Sequence, residues 1–124
     1  MFIVLKELSD PESILGAYPF QLSGGQRQRV GIAMAMTFQP KLLLADEPTS
    51  ALDVTTQAQI VRQMLELRDT YGTAILLVTH NLAVAAYMAS RILVMRNGST
   101  VEQGDRESLL RSQEPYTRQL LQAV

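Results

Sequence analysis

Two short apolar runs, with a helical pattern between them, constrain the fold of this chain most. Residues 42–45 (LLLA) and 75–78 (ILLV) are continuously apolar and are followed by polar residues. Strands buried on both faces of a parallel sheet have this pattern; the alternative is a buried helix segment, which the short length of the runs disfavours. Between the runs, apolar residues recur at helical spacing from Asp53, a favoured N-cap, to Gly72. The sequence therefore predicts a right-handed β–α–β unit with two parallel strands.

Turn and cap signals predict the remaining elements. These are helices at 26–38, 82–88, 106–110 and 115–121, and strands at 91–95 and 100–102. The two strands are separated by Asn97-Gly98, a pair typical of a tight hairpin turn. Asp105 is expected to cap the helix that follows it, and Pro115 suits the first turn of the last helix. The predicted fold class is therefore α/β.

The composition narrows the functional classes. Hydrophobic residues make up 47% and charged residues 19% of the 124 residues, which is typical of one globular domain rather than a disordered tail. Eleven basic and twelve acidic residues give a net charge of -1, without the basic surplus of a nucleic-acid binder. The lack of cysteine excludes disulfides and cysteine-ligated metals, and the single His80 cannot build a multi-histidine site. Because the sequence has neither a long apolar run nor a signal-peptide core, we expect a soluble intracellular domain.

Polar residues of the types used in catalysis follow both apolar runs. Asp46 and Glu47 come at the predicted carboxyl end of the first strand, the edge at which parallel sheets bind ligands. Nucleotide hydrolysis uses two such carboxylates, one to hold Mg²⁺ and one to polarise the attacking water. His80 follows the second strand and is expected at the same edge. The alternatives are a strand that merely enters a solvated loop and a lone loop histidine.

A serine and two glycines precede the predicted helix at 26–38. Ser23 offers a hydroxyl, and Gly24 and Gly25 allow backbone N–H groups to approach a phosphate at a helix N-terminus. The alternative is an ordinary helix start, since serine is a favoured N-cap. Asp53 is likewise explained by helix capping. Taken singly, each of these features has a purely structural explanation.

The order of these features resembles the ATP-binding cassette (ABC) ATPases. The matching segments are the signature LSGGQ at 22–26, the Walker B segment LLLADEPTS at 42–50, the D-loop ALD at 51–53 and the H-switch His80. The resemblance runs from about Ala17 to the C-terminus. It implies part of a P-loop NTPase-type domain, with a largely parallel sheet flanked by helices.

The resemblance also implies roles for individual residues and the cofactors ATP and Mg²⁺. Asp46 would coordinate Mg²⁺ through water, Glu47 would act as general base, and His80 would contact the γ-phosphate. Asp53 would bridge the dimer interface. The ATP held by the opposite subunit would be bound by the signature residues Ser23, Gly24, Gly25 and Gln26.

Shorter segments resemble the peptide/nickel importer branch of the family. They are YP at 18–19, QRV at 28–30, DVT at 53–55, QAQI at 57–60, VEQG at 101–104 and PYTR at 115–118. Phe20 stands where that branch often has histidine, and Gln26 where it often has methionine. The implied partners are a second ABC ATPase subunit, transmembrane permease subunits and, indirectly, an extracytoplasmic solute-binding protein, without nucleic acid. The implied location is peripheral, at the cytoplasmic face of the inner membrane.

One part of the family's site has no counterpart in the sequence. The phosphate loop (Walker A) has the pattern G-x-x-x-x-G-K-S/T, whereas neither Lys6 nor Lys41 follows a glycine. We therefore expect the C-terminal part of a nucleotide-binding domain without its Walker A strand. Residues from about 1 to 39 would belong to the helical subdomain and those from about 40 to 124 to the catalytic core. The parent would hydrolyse ATP, and the 124 residues alone would not. The alternatives are a non-catalytic interaction module and an ATPase of DNA repair or chromosome organisation.

Overall fold

The computed structural model describes residues 11–122, in which helices and strands alternate through the middle of the chain. The elements are α1 (Pro11–Leu15), a 3₁₀ turn (Pro19–Gln21), α2 (Gly24–Met36), β1 (Leu42–Asp46), α3 (Val54–Tyr71), β2 (Ala74–Val78), α4 (Leu82–Met88), β3 (Ile92–Arg96), β4 (Ser99–Gly104), α5 (Arg106–Leu110) and α6 (Pro115–Gln122). Within these residues, no helix combines the length and the apolarity needed to cross a membrane.

The chain forms two compact units, one that ends at Leu76 and one that begins at Leu77. In the first, β1 is the hydrogen-bonded, parallel neighbour of β2, which begins in this unit. Where the strands start, the Thr73 hydroxyl donates to the Pro40 carbonyl at 2.7 Å. The Ala74 N–H donates to the Lys41 carbonyl at 2.8 Å. The predicted pair of parallel strands is therefore present.

Helix α3 supplies the centre of the first unit's core. Ile60 and Met64 are fully buried and Leu67 is 2% exposed, a spacing that places all three on one helix face. The helix begins at its predicted N-cap, Asp53. It ends at Gly72, whose left-handed backbone (φ 64°) lets its N–H donate to the Arg68 carbonyl at 2.9 Å.

The expectation that both apolar runs are buried on both faces is wrong for this structure. In β1, Leu43 is 8% exposed, whereas its neighbours Leu42 and Leu44 are 53% and 67% exposed. In β2, Leu76 and Val78 are likewise more than half exposed. Side chains alternate between the two faces of a strand, and the described elements cover one face only. An apolar run therefore identified the strands correctly without fixing how many of their faces are covered.

The second unit contains the predicted hairpin. Strands β3 and β4 pair antiparallel, with Arg96 opposite Ser99, and Asn97-Gly98 forms the two-residue loop between them. Both loop residues have positive φ, 50° for Asn97 and 77° for Gly98, as a type I′ turn requires. A register shift between Val94 and Met95 interrupts the ladder.

Cap residues set most helix starts, as the sequence predicts. The Asp105 carboxylate accepts the Ser108 N–H at 2.8 Å and so begins α5, and α6 starts at Pro115. Helix α2 begins at Gly24 rather than near residue 26, because Ser23 caps it. The sequence did not predict α1 or the 3₁₀ turn, which are too short to show a period.

Candidate functional site

A reciprocal capping box begins helix α2. The Ser23 hydroxyl oxygen accepts the Gln26 N–H at 3.2 Å, and the Gln26 side-chain oxygen accepts the Ser23 N–H at 2.8 Å. The ordinary capped helix start, which the sequence offered as the alternative to phosphate binding, is therefore present. It leaves phosphate binding possible in chemical terms, since a hydroxyl that accepts one hydrogen bond can still donate another. The helix that follows is 13 residues long, enough for a partial positive charge at this end.

The segment just before α2 is fixed by Arg27. Its guanidinium donates from Nη1 to the Leu22 carbonyl at 2.8 Å and to the Pro19 carbonyl at 3.3 Å. The side chains of Tyr18 and Phe20, which flank Pro19, stack with ring centroids 5.6 Å apart and both are exposed. The entry into the helix is thus held by a residue that lies one turn inside it.

Both signature glycines approach the start of α3 closely. A Cβ atom on Gly24 would lie 3.0 Å from Cδ2 of Leu52, and one on Gly25 would lie 2.6 Å from Cγ2 of Thr56. The second distance is shorter than side-chain carbons tolerate. The structure therefore supplies a reason for these glycines that the sequence did not indicate, namely packing within the chain. A hydrogen bond of 2.7 Å from Arg29 to Gln59 continues the contact between the two helices.

The two candidate carboxylates are consecutive at the end of β1. Asp46 is the last residue of the strand and is exposed, and Glu47 is half-buried with φ 45°. Ala51, in the same loop, has φ 59°. Left-handed backbone at a non-glycine residue costs about 1–3 kcal/mol and concentrates at functional sites. Two such residues in one loop are consistent with a functional role for that loop.

The Asp53 carboxylate accepts two hydrogen bonds from Thr56. Its Oδ1 accepts the Thr56 N–H at 2.9 Å and its Oδ2 accepts the Thr56 hydroxyl at 2.6 Å. The hydroxyl bond and then the backbone bond lower the pKa of Asp53, so the carboxylate stays ionised at neutral pH. The capping explanation is confirmed, and Asp53 remains exposed to a further partner.

His80 belongs to the second unit. It is exposed and follows Thr79, directly after β2. The Thr79 hydroxyl accepts the Asn81 N–H at 3.0 Å, and the Asn81 side chain accepts the Val84 N–H at 3.2 Å to cap α4. His80 is therefore placed between two residues that fix the backbone around it.

The donor chemistry at Asp46 suits magnesium. Over residues 11–122, no three acidic or histidine side chains gather in a way that could hold a metal ion. Mg²⁺ does not need such a cage, because it keeps several waters and is commonly held by one or two carboxylates together with substrate phosphates. One exposed aspartate at a strand end fits that requirement.

Comparison with known proteins tests the family resemblance. The family model described as ABC transporter matches residues 3–50. The dipeptide transport ATP-binding protein DppD of Escherichia coli K12 is 52% identical over 118 residues, 94% of this chain and 36% of the relative. The resemblance to the ABC transporter ATP-binding family is therefore confirmed over nearly the whole chain. A probable peptide ABC transporter ATP-binding protein of Sinorhizobium fredii is 50% identical over 97% of the chain.

Solved ABC structures agree with the fold. A dimeric ATP-binding cassette in a post-hydrolysis state, bound to ADP and phosphate, has a TM-score of 0.72 and 35% identity over 85% of this chain and 45% of its own. A second ATP-binding cassette of an ABC transporter has a TM-score of 0.78 at 24% identity, which supports the fold alone. The chain spans about a third of the length of the curated relatives described above.

Two residues of this ABC segment that the sequence analysis did not single out stand beside the signature. One is Thr56, whose hydroxyl donates to Asp53 and whose methyl lies where a side chain at residue 25 would be. The other is Arg27, which donates to the Leu22 carbonyl. Because an aspartate N-cap accepts the N–H of the second or third helical residue, the predicted cap at Asp53 could have pointed to Thr56. No sequence pattern indicated that this cap also touches the signature.

Proposed function

We propose that the protein carrying this sequence is the ATP-hydrolysing subunit of an ABC importer for peptides. The observation that carries the proposal is the 52% identity to a dipeptide transport ATP-binding protein over 94% of the chain, which includes every candidate site residue. A glutathione import ATP-binding protein of Escherichia coli, 48% identical over the same share, also takes a peptide-like cargo by its name. Nickel as an alternative cargo is supported by the motif resemblance alone.

In this proposal the two residues at the end of β1 divide the chemistry of hydrolysis. Glu47 accepts the proton of the water that attacks the γ-phosphate, and Asp46 holds Mg²⁺ through a water molecule. The ion, when bound, neutralises charge on the phosphate oxygens. The exposed position of Asp46 and the half-buried position of Glu47 suit these roles, since the base needs less solvent than the residue behind a hydrated ion.

The remaining site residues act at the interface between two subunits. The γ-phosphate of the ATP held by the opposite subunit is bound by the backbone N–H groups of Gly24 and Gly25, by the hydroxyl of Ser23 and by Gln26. Asp53 contacts that subunit, and His80 contacts the γ-phosphate held by its own. The first turn of α2 supports the first assignment, because helix starts leave N–H groups without intrahelical partners and the Ser23 cap uses only that of Gln26.

Closure of the two subunits around ATP would drive the transmembrane permease subunits, to which an extracytoplasmic solute-binding protein delivers the peptide. The ATPase would therefore be peripheral, on the cytoplasmic face of the inner membrane. Binding of ATP between the subunits, rather than a contact to the peptide, is what the residues of this chain contribute.

Taken alone, the 124 residues are expected to act as a non-catalytic piece. They contain no G-x-x-x-x-G-K-S/T segment, so the N–H groups and lysine that cradle ATP phosphates are not supplied by them. Purified chain should release no phosphate from MgATP above the rate without protein. Phosphate release that Glu47→Gln abolishes would contradict this.

Uptake measurements test the cargo. Cells that lack the gene for the full-length protein should lose uptake of labelled dipeptides and recover it with the wild-type gene, but not with the Glu47→Gln gene. Glu66→Gln, which removes an exposed carboxylate from α3, is the matched control and should restore uptake. Normal dipeptide uptake in cells without the gene, together with lost uptake of another solute, would overturn the peptide assignment.

A further inference from the structure

We propose that Thr56 is a positioning residue that sets how closely the signature helix α2 approaches the D-loop of the same subunit. The functional part of this inference rests on the proposed ATPase function, whereas its structural part does not. The residues concerned, Gly25 on α2 and Thr56 on α3, both lie in the first compact unit.

The Thr56 methyl occupies the place that a side chain at residue 25 would need. A Cβ on Gly25 would lie 2.6 Å from Cγ2 of Thr56, a separation that carbon atoms do not tolerate. Gly31, on the same helix, is the counter-example, because a Cβ there would have no atom within 4 Å. The need for glycine at 25 is therefore local to the contact with Thr56.

The Thr56 methyl cannot turn aside cheaply. The hydroxyl on the same Cβ donates to Asp53 Oδ2 at 2.6 Å, so rotation about χ1 that moved the methyl would break this bond. Threonine is also stiff at χ1, because it is branched at Cβ. The Asp53 carboxylate thus fixes the Thr56 rotamer, and the rotamer fixes the position of Gly25.

A second contact acts in the same direction. A Cβ on Gly24 would lie 3.0 Å from Cδ2 of Leu52, the residue before Asp53. The D-loop and the start of α3 therefore contact both glycines of the signature. If Asp53 meets the opposite subunit, as proposed above, a change in its contact with Thr56 would reach Gly25 through van der Waals contact. Asp53, Thr56 and Gly25 then link the subunit interface to the signature within one chain.

A melting experiment on the 124-residue chain tests the structural part. Gly25→Ala should lower Tm by roughly 5 °C or more, as expected for overpacking in a chain of this size. Gly25→Ala combined with Thr56→Ser should recover at least half of the loss, because serine keeps the hydroxyl and removes the methyl. Gly25→Ala combined with Thr56→Val should not recover, since valine keeps a methyl at the contact. Gly31→Ala, the matched control, should leave Tm unchanged or raise it.

The two double variants also test the proposal where Gly25→Ala alone does not fold. Folding restored by Thr56→Ser and not by Thr56→Val supports the contact. No recovery with Thr56→Ser, or equal recovery with both, overturns it. None of these readings depends on ATP, so they hold even where the proposed function fails.

Kinetics of the full-length subunit test the functional part. Gly25→Ala should lower kcat by on the order of 10- to 100-fold, because a misplacement near 1 Å costs about 100-fold. The value of KM for ATP should change little, since the phosphate loop lies elsewhere. Thr56→Ser in the same chain should recover most of kcat. Recovery of Tm without recovery of kcat would overturn the coupling, and a wild-type subunit that hydrolyses no ATP would instead overturn the proposed function.

Discussion

Glu102 on β4 and Thr117 on α6 are joined by a hydrogen bond in which the Thr117 hydroxyl donates to Glu102 Oε2 at 2.6 Å. The Ser112 hydroxyl donates to the same oxygen at 2.6 Å. Thr117 is fully buried and Ser112 is 8% exposed, so one carboxylate satisfies two buried hydroxyls. Nearby, Arg96 on β3 lies 5.0 Å from the centre of the Tyr116 ring. The VEQG and PYTR segments, matched separately to the importer branch, are therefore parts of one contact in the second unit.

This contact predicts acid-sensitive stability. The hydrogen bonds from Ser112 and Thr117 lower the pKa of Glu102 below its ordinary 4.5, so the folded state favours the ionised form. The resulting stabilisation is complete above pH 4.5 and is lost as the pH falls through the lower folded pKa. Glu102→Gln should therefore lower Tm most at neutral pH, and the difference from wild type should close only as the pH falls below 4.5. A difference that stays constant from pH 7 to about 3 would contradict the ionised Glu102 contact.

A buried glutamine offers a gain in stability. Gln63 on α3 is fully buried, and neither its Nε2 nor its Oε1 has a hydrogen-bond partner in the part of the chain that the structure describes. An unsatisfied buried amide costs about 1–3 kcal/mol, so Gln63→Leu should raise the free energy of unfolding by an amount in that range. Gln59→Leu, one turn earlier, is the control and should not, because Gln59 accepts a 2.7 Å bond from Arg29. Urea unfolding curves would measure both, and a loss of stability in Gln63→Leu would show that the amide has a partner in solution.

The exposed leucines of β1 predict self-association of the 124-residue chain. Leu42 and Leu44 lie on the same face of the strand and are both more than half exposed, and apolar strand surfaces of this kind pair with other chains. Leu44→Gln should therefore shift the chain towards monomer in a concentration series of sedimentation equilibrium runs. Leu43→Gln, on the buried face, should instead unfold the chain. A wild-type chain that stays monomeric at all concentrations would exclude this face as an association surface.

How much of the structure the sequence predicts depends on the range of the interaction. Local chemistry set the starts and ends of elements, as Asp53, Asp105 and the Asn97-Gly98 turn show, because a cap or turn is decided by a few neighbouring residues. The burial of β1 was not predictable, since it depends on which elements cover each face.

Contacts between distant segments were likewise beyond sequence reasoning. Glycine at 25 reads as a phosphate-binding residue in a motif, and only the fold shows that Thr56, 31 positions later, needs the same space. The candidate site was therefore predictable as a set of residues and their order. Which of its members also hold the protein together was not.

Glu47→Gln in the full-length subunit tests the central claim most directly. Glutamine keeps the shape of the side chain and its capacity for hydrogen bonds but cannot take the proton of the attacking water. The variant should bind MgATP as wild type does, accumulate as closed dimers, and hydrolyse ATP at least about 100-fold more slowly, within the range that general-base catalysis contributes. Hydrolysis by Glu47→Gln at the wild-type rate would contradict the assignment of Glu47 as the base, and with it the account of this segment as half of an ATPase site.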